Sequence, residues 1–217
     1  QISLKISSEI NDTNAIANAL INIGVIYQEI DSNDIALEYH YRALKLKRIL
    51  NDKINVANTL SNIGLIYLNI KQVEQAFDNF SQALEIYQEI KNNYGISLSL
   101  LNIGSVYVEQ KRIKKAKSSF FEALEIAKEI EAKPLIKNIY YHLFILFQDN
   151  KIYKEALDYR ILYSQVKDSL YTTEIHKQIA ELQTKYETEK KENEINNLTK
   201  EKEIRGLKIS QQESKIV

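Results

Sequence analysis

The chain has 217 residues, of which 5 are Gly and 1 is Pro, against the roughly 15 and 11 of average usage, a deficit that argues against a sheet-dominated or turn-rich fold. Its 29 Lys and Arg balance 29 Asp and Glu, so no overall positive field points to nucleic acid; the lack of Cys excludes disulfides and thiol catalysis. At 44% hydrophobic and 27% charged residues, the composition is that of a globular chain with enough apolar material for a core. Uncharged stretches fall short of a membrane span, and no signal-peptide pattern is present. The start on Gln1 and the lack of any Met read as a fragment of a longer protein.

Residues 1–12 echo the end of a repeat: Gln1–Asn11 is similar to ALKLKRILN at 43–51, so the sequence is expected to begin inside an earlier unit. Three full units follow, at 13–52, 53–92 and 93–132. LINIGVIY (20–27), LSNIGLIY (60–67) and LLNIGSVY (100–107) recur at a spacing of 40. A second echo runs through Ala36…Ala43-Leu44, Ala76…Ala83-Leu84 and Ala116…Ala123-Leu124. A divergent fourth unit is placed at 133–170, with Leu143, Phe147 and Ala156-Leu157 in register.

Within a unit the apolar spacing is helical. Leu60, Ile63, Gly64, Tyr67 and Leu68 follow the i, i+3, i+4, i+7, i+8 pattern, as do Val73, Ala76, Phe77, Phe80 and Leu84. Polar breaks such as Asn51-Asp52-Lys53, Asn69–Gln72 and Asn92-Asn93 separate the helices. Each unit is therefore a helical hairpin, and hairpins must stack to bury both apolar faces. Gly24, Gly64 and Gly104 fall mid-helix, where each costs about 1 kcal/mol relative to Ala. Close approach of the paired helix at the small column Ala36, Ala76 and Ala116 would justify that cost. Pro134 falls in a first helical turn, where its missing N–H does no harm.

These residues resemble the tetratricopeptide repeat: a small residue and a Tyr three apart on the first helix, then Ala, an aromatic and Ala on the second. The resemblance covers about residues 1–165 and implies an all-α, right-handed solenoid of about four helical hairpins. The period of 40 exceeds the family's usual 34, as in the extended variant of bacterial regulators and kinesin light chains. The fourth unit departs, with Phe144 in the Gly column and His142 in the Asn column, so looser packing or an altered terminal surface is expected there.

By the same resemblance the first helices line a groove for a peptide or partner protein. Its lining would hold Asn22, Asn62 and Asn102, with Asn18, Asn58 and Asn138 one turn earlier, and Ile21, Val25, Leu65, Leu68, Leu101, Val108 and Tyr141 between them. An Asn amide donates and accepts at once, so it can read the backbone of an extended chain; the alternative is that these amides bridge helices or are merely solvated. Basic residues are scarce at these positions, which does not favour a carboxylate clamp. His40 stands in the column of Phe80 and Phe120 and is assigned to packing or partial exposure, while His142 is a candidate ligand contact. His176 has no partner at metal-ligand spacing. No cofactor, metal or catalytic motif is implied.

After about Leu170 the register stops, and 171–217 is expected to form a coiled-coil helix. Ile175, Ile179, Leu182 and Tyr186 are spaced 4, 3, 4, a dimer seam. From Lys185 to Arg205 there are 12 charged residues, six of each sign, with Glu181–Lys185, Glu187–Lys191 and Glu201–Arg205 in the favourable order. A continuous helix there would extend about 70 Å; the alternative is a short cap over 171–186. The segment also resembles the connector of bacterial signalling proteins in which such repeats precede a histidine kinase or a LuxR-type helix-turn-helix output domain. That implies a sensor segment whose homodimer forms through the tail and whose only membrane contact lies beyond Val217, with the repeats periplasmic or cytoplasmic. A soluble adaptor with an assembly coiled coil is the other reading.

Overall fold

In the computed structural model, the backbone is described for residues 12–213. Eight helices follow one another: α1 Thr13–Glu29, α2 Asn33–Ile49, α3 Lys53–Asn69, α4 Val73–Glu89, α5 Asn93–Glu109, α6 Ile113–Glu129, α7 Lys133–Asp149 and α8 Tyr153–Glu213. No strand occurs among the described residues. Each of the first seven helices has 17 residues, and consecutive helices are joined by three. The hairpin repeat of 40 is thus two equal half-repeats.

The turns show why Gly is dispensable here. The middle residue of every connection lies in the left-handed region: Asp31, Asn51, Lys71, Lys91, Lys111, Glu131 and Lys151, with φ from 53° to 60°. Each turn closes as a Schellman motif. Ser32 N–H, for example, donates to the Tyr27 carbonyl at 2.9 Å and Asp31 N–H to that of Gln28 at 3.1 Å; the pair recurs at Asn92–Tyr87 and Lys91–Gln88. The low Gly count fits this all-α fold, yet it does not exclude tight turns. The chain makes seven tight turns among its described residues and fills each left-handed position with a side chain. The N-terminal caps alternate instead: Asp12, Asp52 and Asn92 accept from the first turns of α1, α3 and α5, while α2, α4 and α6 have no side-chain cap. Pro134 lies in the first turn of α7.

Two compact units divide at Val166 and Lys167. The first holds the stacked hairpins, with Ala36, Ala76, Ala116 and Ala156 all buried. The glycines meet a different column from the expected one. A Cβ on Gly24 would lie 2.8 Å from His40 Cε1, on Gly64 2.6 Å from Phe80 Cε1 and on Gly104 2.4 Å from Phe120 Cε1. Their nearest neighbours are therefore the rings one turn beyond the alanines. In the fourth hairpin the pairing is inverted: α7 carries the ring, Phe144, and α8 presents the Arg160 guanidinium over it, 5.4 Å from its centroid.

A second cross-helix column is Lys47, Tyr87 and Ala127, all buried. Tyr87 donates to Asn58 Oδ1 at 2.5 Å, and Gly95 of α5 lies against its ring, where a Cβ would be 2.2 Å from Cδ1. In the first hairpin Lys47 Nζ donates to Asn14 Oδ1 at 2.7 Å and Asp52 Oδ2 at 2.9 Å, tying α1 and α2 to the cap of α3.

The second unit is the remainder of α8. α8 runs on through residue 171, where the register was expected to stop. Ile175 is half-buried, while Leu182 and Tyr186 are about two-thirds exposed. The side chains of Ile179 and His176, together with residues 1–11 and 214–217, lie outside the described set. No helix among the described residues is long and apolar enough to cross a membrane.

Candidate functional site: a pocket on the first helices

The 40-residue period places equivalent residues of α3, α5 and α7 side by side, and a pocket of about 330 Å³ lies among them. Leu65 and Leu68 come from α3, Asn102, Ser105, Val108 and Glu109 from α5, and His142, Ile145 and Leu146 from α7. The Phe120 ring of α6, already packed on Gly104, also reaches it. Apolar walls thus enclose a short polar row running from Asn102 through Ser105 to His142.

Ser105 Oγ donates to the Leu101 carbonyl at 3.2 Å and lies 3.5 Å from His142 Nδ1. The His142 ring is 5.6 Å from that of Phe120, and burial lowers its pKa below the ordinary 6.5. The imidazole is therefore neutral at pH 7, able to donate at one nitrogen and accept at the other. Glu109 is engaged by Lys71 at 2.9 Å. Such a row offers uncharged donors and acceptors beside apolar surface, the chemistry that peptide backbone and side chains require together.

Of the groove residues expected from sequence, Leu65, Leu68, Asn102, Val108 and His142 come together here. Asn58 is instead a helix bridge, accepting from Tyr87. Asn18, Asn22 and Asn138 are exposed and Asn62 is half-buried, outside the pocket lining. Tyr141 is 43% exposed and packs on His142, Phe144 and Tyr163. Leu101 is buried in the core. Ser105, Glu109, Ile145 and Leu146 also line the pocket without having been expected; Ser105, Ile145 and Leu146 lie one turn beyond Asn102 or His142 and Glu109 two turns beyond Asn102, positions that the helical spacing gives. Among the described residues, no group of three or more His, Asp or Glu gathers to hold a metal.

Two family models described as tetratricopeptide repeat match residues 16–53 and 55–129, together just over half of the chain and in phase with the hairpins. The chain belongs to the tetratricopeptide repeat family. No curated protein matches it. Solved structures resemble its fold at low identity. Aspartyl phosphate phosphatase F from Bacillus subtilis aligns with a TM-score of 0.69 and 18% identity, over 73% of this chain and 42% of its own. The Rap protein complexed with competence and sporulation factor gives 0.64 and 21%, over 72% and 43%. BtubC from P. vanneervenii gives 0.64 and 16%, over 74% and 66%. The tetratricopeptide chain thus spans between two-fifths and two-thirds of the length of these structures, and the likeness is one of fold.

Proposed function

We propose that this tetratricopeptide repeat chain is a non-catalytic protein-interaction module that receives an extended peptide segment in the pocket between α3, α5 and α7. The observation carrying the reading is the neutral polar row of Asn102, Ser105 and His142 set between apolar walls. A peptide amide would pair with the Asn102 side chain and an apolar side chain would enter beside Leu65, Val108 and Ile145. The ligand named for the Rap structure supports a binding role for this fold. We further propose that the tail beyond Val166 pairs with a second copy through Ile175, Ile179, Leu182 and Tyr186, and relays occupancy to an output domain of a bacterial signalling protein. The exposure of Leu182 and Tyr186 supports this over a solitary cap. In the adaptor reading the same helix serves assembly alone, without a membrane-anchored output.

A random peptide display library panned on the full chain tests the pocket. Selected peptides should lose tenfold or more in affinity with Asn102→Ala and His142→Ala combined, since two buried hydrogen bonds are each worth about 0.5–1.5 kcal/mol. Unchanged affinity in that variant and in Ser105→Trp, which fills the space, defeats the reading. Light scattering on the full chain and on Leu182→Glu with Tyr186→Glu tests the seam; equal monomeric masses for both refute the dimer.

A further inference from the structure

A larger recess of about 560 Å³ lies away from the α3–α5–α7 pocket, between α2 and α4 and floored by α3. Its α2 wall carries Lys45 and Arg48, three residues apart on one helix face, and its α4 wall carries Asp78 with the amides Asn79 and Gln82. Leu44, Ile49 and Leu60 supply apolar surface. Across the floor the Tyr41 and Tyr67 hydroxyls are bonded to each other at 2.9 Å.

The polar groups of this recess are sorted by kind. Among the described residues, Lys45, Arg48 and Asp78 have neither an ion pair nor a side-chain hydrogen bond within the chain, in contrast to Arg42, which pairs with Glu38 along the same helix. Asn79 and Gln82 each donate one amide N–H, to the Gln75 and Asp78 carbonyls, which leaves each amide oxygen as an acceptor and the second N–H as a donor. The tyrosine pair uses one phenolic proton for its mutual bond and leaves the other as a donor. One wall therefore offers cations and the opposite wall an anion with acceptors, with apolar surface and the tyrosine hydroxyls between them.

We propose that this recess binds a short zwitterionic peptide of two or three residues with an apolar side chain. Its terminal carboxylate would meet Lys45, Arg48 and the spare phenol, its terminal ammonium Asp78 and the amide oxygens, and its side chain Leu44, Ile49 and Leu60. A simple fatty acid would leave the acceptor wall unpaired, and a simple amine the cationic wall. The volume is within the range of small-ligand pockets, and both ends of such a ligand are complementary to the wall that each faces.

Calorimetric titration of the full chain with L-leucyl-L-phenylalanine tests this, alongside its N-acetylated and C-amidated forms. Saturable millimolar binding is expected. Each blocked form should bind about fivefold more weakly, the size of a partly exposed ion pair near 1 kcal/mol. Asp78→Asn should weaken the free dipeptide yet leave the acetylated form unaffected, and Lys45→Gln with Arg48→Gln should do the same for the amidated form. Circular dichroism checks that these surface variants fold. Asn102→Ala should change nothing, which separates this site from the peptide pocket. Absence of saturable binding at 20 mM, equal affinity of all three ligands, or loss of binding in Asn102→Ala overturns the proposal.

Discussion

His40 fills the position that Phe occupies in the next two hairpins, fully buried against Gly24, and neither ring nitrogen has a hydrogen-bond partner. Burial alone lowers its pKa from 6.5 to about 4, so the folded chain holds it neutral. His40→Phe should restore the ring seen on Gly64 and Gly104, with room at least as generous on Gly24. Removing the unpaired nitrogens should stabilise the first hairpin by about 1–3 kcal/mol at pH 7.5. The pH dependence follows from the sign of the shift. As pH falls, the unfolded chain takes up the proton first, so His40 stability is complete above about pH 6.5 and is lost down to about pH 4. At pH 4.5 the loss amounts to about 2.5 kcal/mol: that pH lies about 2 pH units below 6.5, at about 1.36 kcal/mol each, less the small proton uptake already begun in the folded state. The advantage of His40→Phe should therefore widen by that amount between pH 7.5 and 4.5. Hydrogen exchange of α1 and α2 amides, run beside urea unfolding, reads the change locally, since repeat arrays need not unfold in one step. Parallel losses of stability in the two proteins over that window would refute the argument, because carboxylates and His142 are common to both.

Gly64→Ala tests the ring contact: its Cβ would lie 2.6 Å from a fully buried Phe80, so destabilisation of about 1–3 kcal/mol by urea unfolding is expected despite the better helix propensity of Ala, and Phe80→Leu in the same chain should recover part of it. Lys47→Ala should cost about 2 kcal/mol by leaving Asn14 and Asp52 without their cation, whereas Tyr in its place, as at position 87, is read by the same assay as a smaller loss; no loss for Ala would show the buried cation to be incidental. Lys91→Gly and Lys111→Gly should each raise stability by about 0.5–1 kcal/mol, since the left-handed conformation costs a side chain about 1–2 kcal/mol and Gly gives back about 0.5–1 in unfolded-state entropy; a fall in thermal midpoint contradicts this.

The hairpins were legible because their columns recur: a residue type seen at 24, 64 and 104 is constrained three times by a ring at the same place, His40, Phe80 or Phe120. What recurs in kind is visible, and what recurs only in geometry is not. The left-handed turn residue shifts among Asp, Asn, Lys and Glu, so no column marks it, although the backbone is the same. The partner of the glycines lies one turn from the expected alanines: a small residue invites a small neighbour, while the structure sets an aromatic ring in the gap. Lys47 and Gly95 went unnoticed for a related reason. Their columns hold Lys, Tyr and Ala, or Asn, Gly and Leu, and each repeat solves the contact differently. At the candidate site, Asn102 and His142 could be read from register. Asn58 could not, because its bond to Tyr87 depends on a side chain 29 residues away.

The shared backbone of the seven turns has a mechanical corollary. The same three-residue, left-handed backbone joint recurs inside hairpins and between them, and the described joints differ chiefly in the side-chain caps that Asp52 and Asn92 add between hairpins. A torque applied to one helix by a bound partner would be shared as small rotations over many joints, as in a torsion spring. Replacing a single left-handed Lys by Gly would then do more than change stability: it would install a more compliant point and concentrate the rotation there.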